Sequence, residues 1–120
     1  MTDYEKRPWG EFYVLRANGK YKVKRLIVYP GQRTSLQYHN HREEHWIFTE
    51  GIGSTTLIKD AITSMYEAYP SKYMFIPKGA AHRITNTGKE RLYFIEVQIG
   101  DYLEEDDIVR LEDDYNRETL

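Results

Sequence analysis

Between Phe12 and Gln98 turn residues cut the chain into short β-type runs, and no window of helical period reaches ten residues. Phe12–Arg16 stops at Asn18-Gly19, and the long run Tyr21–Tyr29 stops at Pro30-Gly31. Thr34–Tyr38, His45–Glu50, Ser54–Ile58, Ile62–Ala68, Tyr73–Ile76, His82–Thr85 and Arg91–Gln98 follow. Breakers stand between them at Gly51/Gly53, Lys59-Asp60, Pro70-Ser71, Pro77/Gly79 and Thr87-Gly88. Runs at this spacing predict an all-β sandwich or barrel. After Gly100, the acidic turn Glu104–Asp107 ahead of Ile108-Val-Arg-Leu111 predicts one short C-terminal helix.

Size and composition narrow the partners. A chain of 120 residues is expected to form a single domain over 1–120. Its 40% hydrophobic and 14% aromatic content fits a folded globular protein, not a disordered one. A net charge of −2 gives no reason to expect nucleic acid or an acidic membrane surface. No apolar run approaches the roughly 20 residues of a membrane span, and Met1–Arg7 has no apolar core for a signal peptide. The absence of cysteine excludes thiolate metal sites and thiol nucleophiles and fits a cytoplasmic protein. A homodimer is expected, because closed symmetric dimers are the commonest oligomers and outer strands offer an edge.

Chemistry concentrates in two segments. In the first, Gly31 is followed by Gln37, His39, Glu44 and Gly51; the second reads Pro77-Lys-Gly79-Ala-Ala-His82-Arg-Ile-Thr-Asn86. Alternate residues of a strand share a face, so Gln37 and His39 project together, as do Glu44, Trp46 and Phe48. His45 has the opposite parity and is expected to pack outward. Imidazoles, a carboxylate and an amide oxygen suit one divalent ion of Zn, Fe, Mn, Co or Ni. The expected metal ligands are therefore Gln37, His39, Glu44 and His82. His41 has the parity of His39 and could replace a ligand or contact substrate.

This two-part spacing resembles the signature of the cupins, double-stranded β-helix (jelly-roll) barrels with a metal in the mouth. One departure is that Gln37 stands where a histidine is usual. Within the cupins, Arg7-Pro-Trp-Gly10, Ser35-Leu-Gln-Tyr-His39, His41-Arg-Glu-Glu-His-Trp46, Ile76-Pro-Lys-Gly79, Ile95-Glu-Val-Gln98 and Tyr102–Arg110 resemble the type II mannose-6-phosphate isomerase domain. That domain is commonly the C-terminal half of bifunctional guanylyltransferase/isomerases, and GTP chemistry is not carried over with it. The likeness departs at Ser71 and Asn116, where glycine is usual, and at Glu104.

The resemblance implies an isomerase that interconverts mannose 6-phosphate and fructose 6-phosphate with a divalent metal. Such chemistry needs an electrophile, a base and a cation for the phosphate. Arg42 is assigned to catalysis or phosphate binding. Glu96 and Gln98 share a strand face, which makes Glu96 the candidate base if that face points inward and Gln98 a substrate contact. Lys24 could reach phosphate from the neighbouring strand. The pair Asp106-Asp107 reads as a helix cap before it reads as an acid/base dyad. The alternative function is a non-catalytic cupin that binds a sugar or sugar nucleotide and acts with a separate guanylyltransferase. A third is another enzyme on this scaffold, such as an epimerase or dioxygenase.

Overall fold

The computed structural model describes residues 3–117. Eleven strands run in chain order: β1 (Asp3–Arg7), β2 (Gly10–Ala17), β3 (Tyr21–Val28), β4 (Leu36–Tyr38), β5 (Arg42–Glu50), β6 (Gly53–Lys59), β7 (Ile62–Ala68), β8 (Tyr73–Ile76), β9 (Ala81–Asn86), β10 (Leu92–Gly100) and β11 (Val109–Glu112). They form two antiparallel sheets, in the orders β1-β2-β3-β10-β5-β8 and β11-β4-β9-β6-β7. The sheets face each other as the two walls of a cupin barrel. Each sequence breaker falls at or beside a turn.

Strand alternation decides what lies between the walls. On β5 the inward row is Glu44, Trp46 and Phe48; on β10 it is Leu92, Phe94, Glu96 and Gln98, all buried. Register ties these rows together: Phe94 stands opposite Phe48, Glu96 opposite Trp46, and Gln98 opposite Glu44. On the other side of β10, Lys24 of β3 stands opposite Glu96. The apolar cluster gathers Val28, Phe48, Ile76, Ile84, Leu92 and Phe94, with Trp9, Phe12 and Trp46 packed above them. Burying one such aromatic or branched side chain is worth about 1.5–3 kcal/mol.

The expected C-terminal helix is absent, which corrects the sequence reading. No helix occurs among the described residues, and Val109–Glu112 instead pairs with β4 as β11. The polar groups of the preceding segment are bonded to the barrel. Asp107 accepts the backbone N–H groups of Asn40 and His41 at 2.9 and 3.0 Å. The Leu103 carbonyl accepts Lys22 Nζ at 2.6 Å, and Glu105 accepts Lys24 Nζ at 2.9 Å. A local helical preference is weak and yields to tertiary bonds of this kind. Residues 101–108 consequently lie across one end of the barrel.

Candidate metal centre

Three buried side chains meet at that end. His39, just past β4, Glu44 on β5 and His82 on β9 each offer a ligand atom within 4.8 Å of the other two. His39 Nε2 lies 3.2 Å from one Glu44 oxygen, and His82 Nε2 lies 3.7 Å from the other. All three residues are about 2% exposed or less. Gln37 pairs in register with His82 and lines the same cavity. Its amide Nε2 stands 3.5 Å from His39 Nε2, while its Oε1 accepts the Ser35 hydroxyl at 2.6 Å. Turning that amide over would present its oxygen to the group.

Each imidazole is oriented through its other nitrogen. His39 Nδ1 lies 2.6 Å from the Asp107 carbonyl, and His82 Nδ1 lies 3.0 Å from the Ala80 carbonyl. A carbonyl can only accept, so Nδ1 carries the proton on both rings and Nε2 presents its lone pair. Metal-binding histidines are typically fixed in this manner. His82 Nε2 is buried without a hydrogen-bond partner. A buried acceptor left open in this way fits a metal ligand. The donor set of two imidazoles and one carboxylate therefore suits a divalent ion.

Electrostatics favours the forms a metal needs. Burial lowers the proton affinity of both histidines, bringing His39 down to about 4, so each ring is neutral at pH 7. Burial pushes Glu44 up, but its polar surroundings, with the charged Arg42 guanidinium in contact, outweigh it and hold the carboxyl well below the usual range. Arg42 supplies the firmest of these contacts, with Nε and Nη2 each 2.9 Å from Glu44 Oε2.

Glu96 points inward, on the wall of the same cavity. Its carboxyl accepts Trp46 Nε1 at 3.0 Å and Gln98 Nε2 at 2.7 Å. Trp46 Nε1 is shared with Glu44, at 3.1 Å. Burial, and then the charge of Glu44, raise Glu96 to about 8. Its proton exchange is thereby moved from the usual carboxyl range towards neutral pH. Gln98 is buried beside it but does not line the cavity. Lys24 also faces inward, yet its ammonium is taken by Glu105, 2.8 Å away.

His41 does not reach the centre. Strand β4 ends at Tyr38, so alternation no longer governs position 41. Its exposed ring instead meets Tyr102 edge-on, with centroids 5.6 Å apart. Four contributors were missed from sequence: Asp107 and Glu105, whose roles depend on residues 101–108 folding back, and Arg110 and Arg117, which line the same cavity. The Asp106-Asp107 pair was the available signal, but it was assigned to a helix cap.

Comparison with known proteins adds the family. Residues 2–113 match the family model described as mannose-6-phosphate isomerase C-terminal. The chain is 44% identical over 92% of its length to mannose-1-phosphate guanylyltransferase ManC of Salmonella typhimurium, of which it covers 22%. It is 47% identical over 92% of its length to the alginate biosynthesis protein AlgA of Pseudomonas aeruginosa, again covering 22%. It thus spans about a fifth of the length of the curated relatives it matches. Among solved structures, the Lactobacillus farciminis oxalate decarboxylase formate complex aligns with a TM-score of 0.80 at 19% identity, covering 92% of this chain and 33% of that one. CapF with a tropolone inhibitor aligns with a TM-score of 0.78 at 20% identity, covering 93% and 35%. Likeness at that identity speaks for the cupin fold alone. A Bacillus subtilis oxalate decarboxylase of the same fold, with a TM-score of 0.77, 20% identity, and coverage of 88% of this chain and 29% of that one, is described with Mn(II) centres.

The relatives correct one expectation. They are named for guanylyl transfer or polysaccharide biosynthesis, and this chain matches about a fifth of their length. The isomerase activity expected from the motifs therefore gives way to the alternative, a cupin domain acting with a guanylyltransferase. The match over residues 2–113 and the identities of 44–47% make the chain a member of the mannose-6-phosphate isomerase C-terminal family.

Proposed function

We propose that this domain is a metal-holding cupin that binds a phosphorylated sugar or sugar nucleotide and acts together with a guanylyltransferase. The observation that carries it is a buried His39–Glu44–His82 group at the base of a cavity, in a chain whose relatives are named mannose-1-phosphate guanylyltransferases. His39, Glu44 and His82 would hold one ion of Zn, Co, Mn, Ni or Fe, with Gln37 as a fourth contact. That ion would supply a positive centre for ligand oxygens. Arg42 anchors Glu44, and Asp107 and Ala80 hold the two rings, so the group is set before a ligand arrives. Glu96 forms a polar wall of the cavity, its proton affinity raised by burial and by Glu44.

The same proposal places the protein in the cytoplasm, on the absence of cysteine. It also makes it a homodimer, joined through the outer face of the larger sheet. There Ile47, Tyr73, Phe75 and Ile99 stand 41–50% exposed and share one parity in the registers of β5, β8 and β10.

Calorimetric titration of the metal-loaded chain with mannose 1-phosphate and GDP-mannose tests the ligand, and elemental analysis tests the metal. Saturable binding that chelation removes is the expected result. Binding of neither compound by fully loaded protein would sink this reading.

A further inference from the structure

Three arginines without a role so far meet at the open end of the cavity. Arg7 ends β1, Arg110 lies on β11, and Arg117 follows β11; all three line the cavity that reaches His39, Glu44 and His82. They come from opposite ends of the chain, so folding is what gathers them. In a protein of net charge −2, bringing three guanidinium groups together costs stability through mutual repulsion. The cost registers at Arg110. Burial first, then Arg117 and more weakly Arg7, lower its proton affinity against the pull of Asp113. Ion pairs hold the other two in position. Arg117 makes a two-point pair with Asp113 at 2.8 and 3.0 Å, and Arg7 pairs with Glu5 at 2.9 Å.

The deeper cations are already committed. Lys24 is bound to Glu105, and Arg42 is bound to Glu44. Arg42 nevertheless keeps Nη1 buried with no hydrogen-bond partner, an unmet donor on a side chain that lines the same cavity. Arg7 and Arg117 are paired too, but their side chains are 31% and 21% exposed against 4% for Lys24 and 6% for Arg42. An incoming anion therefore reaches positive charge first at the rim, and a neutral acceptor finds a donor further in. Guanidinium groups are suited to the first task, since their planar forks match phosphate oxygens two at a time.

We propose that Arg7, Arg110 and Arg117 form the subsite for a phosphoryl group, with the sugar ring reaching inward to Arg42 and the His39–Glu44–His82 group. This rests on the sugar-phosphate reading above and narrows it. It also moves the phosphate away from Lys24 and Arg42, where the sequence had put it. Repulsion among the three arginines is relieved when the anion binds, which gives the rim a reason to exist without its ligand being permanent.

Calorimetry on the full, metal-loaded chain tests the assignment, with inorganic phosphate, mannose and mannose 6-phosphate as titrants. Mannose 6-phosphate should bind best and mannose worst, with affinity for the phosphorylated compound falling as salt is raised. Arg110→Ala and Arg7→Ala should each weaken mannose 6-phosphate about tenfold or more, by losing charge-assisted hydrogen bonds. Metal content and melting temperature should hold. Arg110→Lys should fall between, since it keeps the charge and loses the fork. Unchanged affinity in both alanine variants would overturn the subsite and leave the sugar-binding reading standing. A loss of affinity matched by an equal loss of metal would also overturn it. Phosphate bound through the arginines, with no sugar phosphate or sugar nucleotide bound, would support the subsite and refute that reading.

Discussion

The two ends of the barrel are built from the same strands and buried to the same depth, yet they consist of opposite materials. Along β5 the inward row runs Glu44, Trp46, Phe48; along β10 it runs Gln98, Glu96, Phe94, Leu92; along β9 it passes from His82 to Ile84; along β3 from Lys24 to Leu26 and Val28. Glu44 is 2% exposed and Phe48 1%, so access to water does not separate them. What differs is the return on burial. At the closed end, removing carbon from water is itself stabilising. At the mouth each buried charge needs a partner, and even a good ion pair roughly breaks even. One end therefore carries the fold, and the other borrows its rigidity to hold polar groups that would not stay in place alone.

If that division is right, truncation at the closed end should hurt most. Phe48→Ala is expected to cost about 3–5 kcal/mol in urea unfolding, through lost burial and the cavity left behind. A loss below about 1 kcal/mol would mean that the apolar end is not the anchor.

Acid should strike the opposite end. His39 is held to about 4 in the fold against an ordinary 6.5, so the unfolded chain binds more protons between those values. Stability of the metal-free protein is therefore fully present above pH 6.5 and lost as pH falls towards 4. The loss from His39 alone is about 3 kcal/mol, and His82 acts in the same direction. Denaturant midpoints at pH 7, 5.5 and 4 measure it, and His39→Gln should flatten the curve. The same shift should let bound metal survive below pH 6, since protons compete for the ligands later.

His82→Ala separates the two functions more finely. It removes a buried imidazole that is open at Nε2 but bonded through Nδ1 to the Ala80 carbonyl, so metal-free stability should fall by about 2 kcal/mol, while elemental analysis should find the metal gone. Equal metal content in variant and parent would show that His82 is a structural histidine.

A position outside both ends should respond least. Ser71 adopts φ +75°, where a side chain is strained, in a turn whose N–H bonds the Phe48 carbonyl at 2.8 Å. Ser71→Gly should raise stability by about 1 kcal/mol, read as a small increase in melting temperature.

Much of this contrast was legible in the chain. The breakers marked the strands, and parity separated Glu44, Trp46 and Phe48 from His45, which indeed faces outward to bond Tyr73 and Glu43 at 2.6 Å. Positions 71 and 116, where the resemblance expected glycine, both have positive φ. The rest depended on residues 101–117 folding back over the barrel. Nothing local in Glu105 or Asp107 says that they will bond Lys24 and the loop after β4, and an acidic turn before an apolar run reads as a helix start. Strand parity also lapses in loops, which is why His41 was expected inside. The rim arginines were hidden for a related reason, since their meeting is a property of the closed fold and not of any one segment.

The bond from His39 to the Asp107 carbonyl has a consequence in time. Every residue of the His39–Glu44–His82 group precedes the strand that brings Asp107 into place. A chain emerging from the ribosome therefore owns its ligands well before it owns the clamp that aims the first of them. Until residues 101–108 arrive, the ring of His39 is free to turn, and the choice of which nitrogen faces the ion is open. Aiming of the first ring thus waits on a segment that contributes no ligand at all.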